Sequence, residues 1–238
     1  MTFKRGASLY EEEAKRRAAK SGGVSTLQYR LDYGESKAPV IFLDNLNEVP
    51  AQLIHKLFFG KRDSHMAVCT SDEGHCILCD AAGAAKKGWR SPASFFTVLD
   101  LRPYTKKDGT VVPITKKLML CTKQSYELIV SEALEQADGE LQYAMFEVSR
   151  GPEAQPSPPI TGSKFRFKAH VALADYELTE EDKTPFTLDE LSATLVSDPD
   201  MIKELALRLD PDLEFGEDVQ DQGSESNEAY DVDEDLPF

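Results

Sequence analysis

The feature that most constrains this chain is the crowding of Cys69, Cys76 and Cys79 into eleven positions, with the fourth cysteine, Cys121, standing alone. Cys76-Ile77-Leu78-Cys79 is a CxxC turn, which presents two thiolates to one tetrahedral centre. Zinc takes four such ligands, so Cys69 is expected as the third and the fourth must come from His55, His65, His75 or Cys121. The segment 53–69 reads as strand, turn, strand, with turn residues at 60–64. A hairpin centred on Arg62 sets His55 directly opposite Cys69, with Cβ atoms about 4.5–5.5 Å apart. A slip of one residue would turn His55 to the other face, which leaves His65 as the competitor. His75 adjoins Cys76 and is sterically awkward as a co-ligand. A redox CxxC would want a βαβ unit around it, and a cysteine nucleophile an orienting third group; neither is legible. One structural zinc in a subdomain at about 50–90 is the expectation.

Around that cluster the apolar runs are short and strand-like: 40–43, 66–69, 95–101, 111–114, 118–121, 141–148 and 165–173. Turn signals separate them, among them Lys107-Asp108-Gly109, Ala137-Asp138-Gly139, Gly151-Pro152 and Gly162-Ser163. One helix interrupts them at 123–135, with Tyr126, Leu128, Ile129, Ala133 and Leu134 as its inner side. Many short strands and one helix in about 150 residues predict a mainly β fold. The five-stranded oligonucleotide-binding (OB) barrel is the leading candidate. Four regions are expected: an N-terminal helical arm at 1–22, a core at 23–185, a short helical region at 186–209, and a tail at 210–238. In the arm, Ser8 and Glu11 have capping-box spacing, and acidic residues precede basic ones, as the helix dipole prefers. No run of 18 apolar residues exists, so no membrane span is expected. No apolar stretch follows Met1-Thr2-Phe3-Lys4-Arg5, so a cytoplasmic chain is expected.

Composition matters here through its distribution. The formal net charge is −15, which alone argues against a nucleic-acid partner. Residues 210–238 hold 12 acidic and no basic residues, and 175–209 hold 10 acidic and 3 basic. Residues 1–174 are therefore mildly basic, at net +4. A basic body with an acidic tail suggests nucleic-acid contact. Too few apolar residues lie in 216–238 to bury a core, so disorder is expected there.

The basic body interleaves cations with rings. Lys164-Phe165-Arg166-Phe167-Lys168 alternates them at strand period. Lys86, Lys87, Trp89 and Arg90 precede Phe95 and Phe96, and Arg102, Tyr104, Lys106, Lys107, Lys116 and Lys117 follow. Single-strand binding uses cations that track phosphates and rings on which bases stack, at about 1–3 kcal/mol per base. Taken singly, Phe165, Phe167, Phe95 and Phe96 also suit a core.

On these residues the chain resembles the T-even-type phage single-stranded DNA-binding proteins, the helix-destabilising proteins of phage replication. Phe3-Lys4-Arg5 with Ser8 and an Ala-rich helix resembles their cooperativity arm. His55, Cys69, Cys76 and Cys79 resemble their zinc ligands, and Ser94-Phe95-Phe96 their aromatic cleft segment. Asp233, Glu234, Asp235, Leu236, Pro237 and Phe238 resemble instead the acidic tip of bacterial single-stranded DNA-binding proteins. The resemblance implies a non-enzymatic protein that coats single-stranded DNA cooperatively during replication, recombination and repair. Its partners would be the DNA, neighbouring copies through Lys4 and Arg5, and replication or recombination proteins at the tip. Its place would be the cytoplasm of an infected bacterium. Two alternatives stand beside it: a zinc-dependent nucleic-acid enzyme, which would need an open metal position near a carboxylate such as Glu73, and a zinc-stabilised protein-interaction module.

Overall fold

The computed structural model describes residues 28–60, 63–106, 108–152 and 160–213. The arm with Lys4 and Arg5, Lys107, and the tip from Asp233 to Phe238 lie outside the described residues.

Chain order runs β1 (Ala38–Phe42), β2 (Ala51–Gly60), β3 (Asp63–Val68), α1 (Ile77–Ala85), β4 (Arg90–Asp100), β5 (Tyr104–Thr105), β6 (Val111–Val112), β7 (Thr115–Thr122), α2 (Lys123–Gln136), β8 (Ala144–Ser149), β9 (Lys164–His170), α3 (Leu188–Ser192) and α4 (Pro199–Leu209). The fold is β-rich with few helices, as the turn and strand pattern predicted. Seven strands form one sheet, ordered β3-β2-β4-β1-β8-β9, with β7 on the other side of β4. All its strand pairs are antiparallel. Long β4 organises the sheet: its first half pairs with β2, its last residues with β1, and β7 lies along its opposite edge. Among the described residues no pairing closes β9 onto β7. The chain at 29–31 lies at that gap instead. Tyr29 N–H donates to the Leu118 carbonyl at 2.8 Å, and Leu31 N–H to that of Ile160 at 2.8 Å.

Alternation decides which ring goes inward. Phe42, Phe96, Met119, Phe146 and Phe165 share one core with Ile129 and Ala133 of α2. Phe42 meets Phe96 and Phe146 edge-on at 5.5 and 5.1 Å, the geometry that ring quadrupoles favour. The inner side of α2 is narrower than its sequence suggested. Ser125, Ile129 and Ala133 are buried, whereas Leu128 and Leu134 are exposed. A 3.6-residue period carries 125, 129 and 133 on one stripe, and Leu134 falls outside it.

The region 186–209 packs back on the body. Phe186, Leu191 and Leu195 cover Ile54, Phe95 and Leu118 on the outer face of β2, β4 and β7. Helix α3 opens with a capping box, Thr187 to Glu190. Helix α4, capped by Asp198, lays Leu205, Ala206 and Leu209 against α1. None of the helices among the described residues is long and apolar enough to cross a membrane.

Candidate metal centre

The β2–β3 hairpin, the turn after it and the start of α1 bring four side chains together. His55 projects from β2, Cys69 follows β3, Cys76 sits at the N-cap of α1, and Cys79 lies one turn in. The Cys79 N–H donates to the Cys76 carbonyl at 2.9 Å, which folds the CxxC so that both sulfurs point one way. A helix follows because Asp80-Ala81-Ala82-Gly83-Ala84-Ala85 is rich in alanine, the best helix former. The sequence expectation did not include this helix, whose first turn overlaps the CxxC.

The four ligand atoms lie within 4.8 Å of one another. His55 Nε2 is 3.5 Å from the sulfurs of both Cys76 and Cys79, and the Cys69 and Cys79 sulfurs are 3.6 Å apart. A zinc bonded at about 2.3 Å to sulfur and about 2.0–2.1 Å to nitrogen has tetrahedral edges of about 3.8 Å between sulfurs and about 3.6 Å between sulfur and nitrogen. The cluster therefore has the size of a zinc site, and it could hold such an ion. All three thiols are free. His55, Cys69 and Cys76 are buried, and Cys79 is half-buried.

The imidazole is oriented from behind. His55 Nδ1 lies 2.8 Å from the Gly88 carbonyl. A carbonyl only accepts, so Nδ1 carries the hydrogen and Nε2 turns its lone pair to the sulfurs. Gly88 can approach this closely because it has φ +75° and no Cβ; a Cβ there would lie 2.9 Å from Leu57. Sequence reasoning missed this contact of Gly88 with His55, and the position of Gly88 next to Trp89 in the Lys-Lys-Gly-Trp turn was the available signal. Ser71 was missed as well: its hydroxyl lies 3.2 Å from the Cys69 sulfur. Burial pushes the Cys69 thiol up, but hydrogen bonds from the Ser71 side chain and backbone, then from Cys79 and His55, outweigh it and bring the thiol to about 6. Burial, then the neighbouring thiols, push Cys79 up to about 12. A bound divalent cation reverses that, because coordination deprotonates a thiol outright.

The other candidate ligands point elsewhere. His65 Nε2 bonds Asp63 at 2.8 Å, and its ring packs on Phe59. His75 bonds Asp80 at 2.5 Å and is exposed. Cys121 belongs to the other core, where burial pushes its thiol up to about 12. The expected pairing of His55 with Cys69 is corrected: His55 faces Ala67, and the Cys69 N–H bonds the Leu53 carbonyl. The turn pairs Gly60 with Asp63, one position short of the expected register, and an irregularity between Phe58 and Gly60 absorbs one residue more. The shift is two positions, so Cys69 stays on the His55 face as its diagonal neighbour.

The expected DNA contacts divide into three groups. Lys86, Lys87, Trp89, Arg90, Tyr104, Lys106, Lys164, Arg166 and Lys168 are exposed, with Trp89 at 60%. Lys164, Arg166 and Lys168 share the outward side of β9, as alternation predicted. A second group is already engaged. Arg102 bridges Asp100 and Glu35, Lys117 pairs with Asp100 at 2.8 Å, and Lys116 donates to the Glu181 and Thr184 carbonyls above the Phe186 ring. Lys168 pairs more loosely with Glu147 at 3.3 Å, and Arg90 donates to the Ser71 hydroxyl and lies 3.9 Å from the Asp72 carboxylate. The third group corrects the expectation of stacking rings: Phe95, Phe96 and Phe165 are buried, and Phe167 packs against the core. Their run of apolar neighbours places them in cores on both faces of the sheet, Phe95 beneath Leu191 and Phe96 against Phe42.

No protein-family model, no curated protein and no solved structure matches this chain.

Proposed function

We propose that this chain is a sequence-nonspecific single-stranded DNA-binding protein of the T-even phage type, an OB-type barrel with a structural zinc subdomain. Five strands, β7-β4-β1-β8-β9, pair in sequence, with α2 linking β7 to β8. That arrangement suits a five-stranded, partly open OB barrel, with β1, β4, β7, β8 and β9 as its strands in chain order. The metal cluster then sits in the connection between the first and second strands, one of the two loops with which such barrels hold oligonucleotides.

One observation carries the reading. The loop 86–90 ends that connection and exposes Lys86, Lys87, Trp89 and Arg90 together. His55 holds it through Gly88, and Lys87 N–H bonds the Ala82 carbonyl at 3.2 Å. An indole among three cations on a braced loop suits base stacking beside phosphate contacts. Catalysis is not part of the reading, because three thiolates and an imidazole close a tetrahedral zinc and leave no position for substrate. Arm and tail are assigned cooperativity and partner recruitment from the resemblance of their sequences.

A second reading, a zinc-stabilised protein-interaction module, is favoured by the covered outer face of β4 and β7, where an OB barrel commonly binds, and by the engaged cations Arg102, Lys116 and Lys117. Anisotropy of a labelled dT30 strand at two salt concentrations separates the two. The first reading expects binding that weakens with salt by a log–log slope of about −0.7 per phosphate neutralised. No binding of the full chain at 50 mM salt rejects it and leaves the second.

A further inference from the structure

Four residues before His55 on the same face of β2, Ala51 opens into a cleft. Its other walls are Val49, Pro92 and Ser94 of β4, and Lys123 and Tyr126 of α2, and it encloses about 280 Å³. The cleft thus lies between the metal-bearing connection and the helix. Register explains the walls: Ala51 pairs Ser94 and Leu53 pairs Pro92, so these side chains share one side of the sheet with His55 and Arg90.

We infer that this cleft is a nucleobase subsite, in which the Tyr126 ring stacks on one base and Lys123 meets the adjoining phosphate. The inference rests on the DNA-binding reading above. Three observations support it. The volume lies just under the usual range for small-ligand pockets of about 300–1,000 Å³, which suits a single planar base better than a larger ligand. The walls are mainly apolar, with the Ser94 and Tyr126 hydroxyls and the Lys123 ammonium to orient a ligand. The Tyr126 ring is already held: it lies nearly parallel to Phe96, with 6.0 Å between centroids and 25° between planes. A ring fixed on one side loses little rotamer freedom when a base covers another part of it. Lys123 is 77% exposed and makes only a loose 3.7 Å pair with Glu127 among the described residues, so a phosphate can take it over.

The cleft also continues a line of contacts. Arg90, Pro92 and Ser94 follow one another on the same side of β4, which at about 3.4 Å per residue spans about 14 Å from Arg90 to the far wall of the cleft at Ser94. A strand entering at Trp89 would therefore reach Tyr126 a few nucleotides later. Sequence reading took Tyr126 as inner-face filler of the helix, and only the packing of α2 beside the β2–β4 pair opens its ring to the cleft.

Filling the cleft tests this without touching the core. Ala51 is exposed, so Ala51→Phe occupies the space while the Tyr126–Phe96 contact stays. The full-length variant, checked for an unchanged Tm, should bind dT30 roughly 10-fold more weakly, as expected for losing one stacked base. Tyr126→Leu should show a similar loss and Tyr126→Phe should restore binding. On an abasic deoxyribose-phosphate strand of equal length, wild type and Ala51→Phe should bind equally. If folded Ala51→Phe binds dT30 as tightly as wild type, the subsite is wrong and the DNA-binding reading stands. If the loss persists undiminished on the abasic strand, the cleft takes backbone rather than base and the inference fails. If wild type itself does not bind dT30, both fall together.

Discussion

Cys79→Ser isolates the metal from everything else the cluster does. Serine is nearly isosteric with cysteine and Cys79 is only half-buried at the edge of its apolar cluster, so no large cavity accompanies the change. What is lost is one of four ligands. Structural zinc contributes about 10–16 kcal/mol to the folding of small metal-dependent domains, or about 2.5–4 kcal/mol per ligand if shared evenly. At about 2–4 °C per kcal/mol for a chain of this size, Tm should fall by about 5–16 °C. The effect should be concentrated in the subdomain where Leu57, Leu78, Ala81, Leu205 and Leu209 pack around the cluster. Atomic emission on protein purified without chelators should find one zinc per wild-type chain and much less in Cys79→Ser. Scanning calorimetry with and without EDTA should show wild type falling towards the variant. Two controls sharpen the test. His65→Ala should keep its zinc, because that ring is held by Asp63 and lies against Phe59. Cys121→Ser should keep its zinc as well, whatever it costs the other core. A zinc-free wild type, or a zinc-loaded His55→Ala, would refute the reasoning.

Other outcomes follow from charges in and around the sheet. Fully buried Asp100 is pushed up by burial, but its bonds to Arg102 and Lys117 outweigh this and hold it below the usual carboxylate range. Its stabilisation is therefore complete above about pH 4 and is lost as pH falls through the lowered value, and Asp100→Asn should cost about 3–5 kcal/mol at pH 7 in urea titrations. Asp44 has the opposite sign: burial pushes it up to about 6 despite the Thr97 N–H it accepts. It costs stability above pH 6 and is relieved as pH falls towards 4, so Asp44→Asn should gain up to about 3 kcal/mol at pH 7, a gain that vanishes near pH 4. Neutralising Lys164, Arg166 and Lys168 together should flatten the salt dependence of dT30 binding, whereas Lys116→Gln should leave it unchanged because that ammonium is held by the Glu181 and Thr184 carbonyls. At the chain ends, deleting residues 1–20 should reduce binding to long strands more than to short ones, and Phe238→Ala should leave dT30 affinity unchanged while abolishing capture of replication proteins by the tip; equal losses on short and long DNA, or retained capture, would overturn these roles.

Local pattern determined much of this protein. The CxxC with a third cysteine and a histidine on a strand named the four residues that converge at the cluster. Strand alternation placed Lys164, Arg166 and Lys168 on one side of their strand and Phe165 and Phe167 on the other, and the helix expected at 123–135 was legible from its period and its flanking turn. These signals survive because they depend on neighbours within a few residues. Tertiary structure decided the rest. A turn that pairs Gly60 with Asp63 and a one-residue irregularity beside it together moved the hairpin register by two, which no turn residue announced. Phe95 reads as readily as a stacking ring as a core ring, and it became core because Leu191, nearly a hundred residues later, folds over it. Lys116 and Lys117 look as free as Lys86 and Lys87 in sequence; the carbonyls at 181 and 184 and the Asp100 carboxylate engage the first pair, while the second pair stays exposed on its turn. Whether a ring or a cation is available depends on what distant chain segments bury or bond, and that information resides in the packing rather than in the local order of residues.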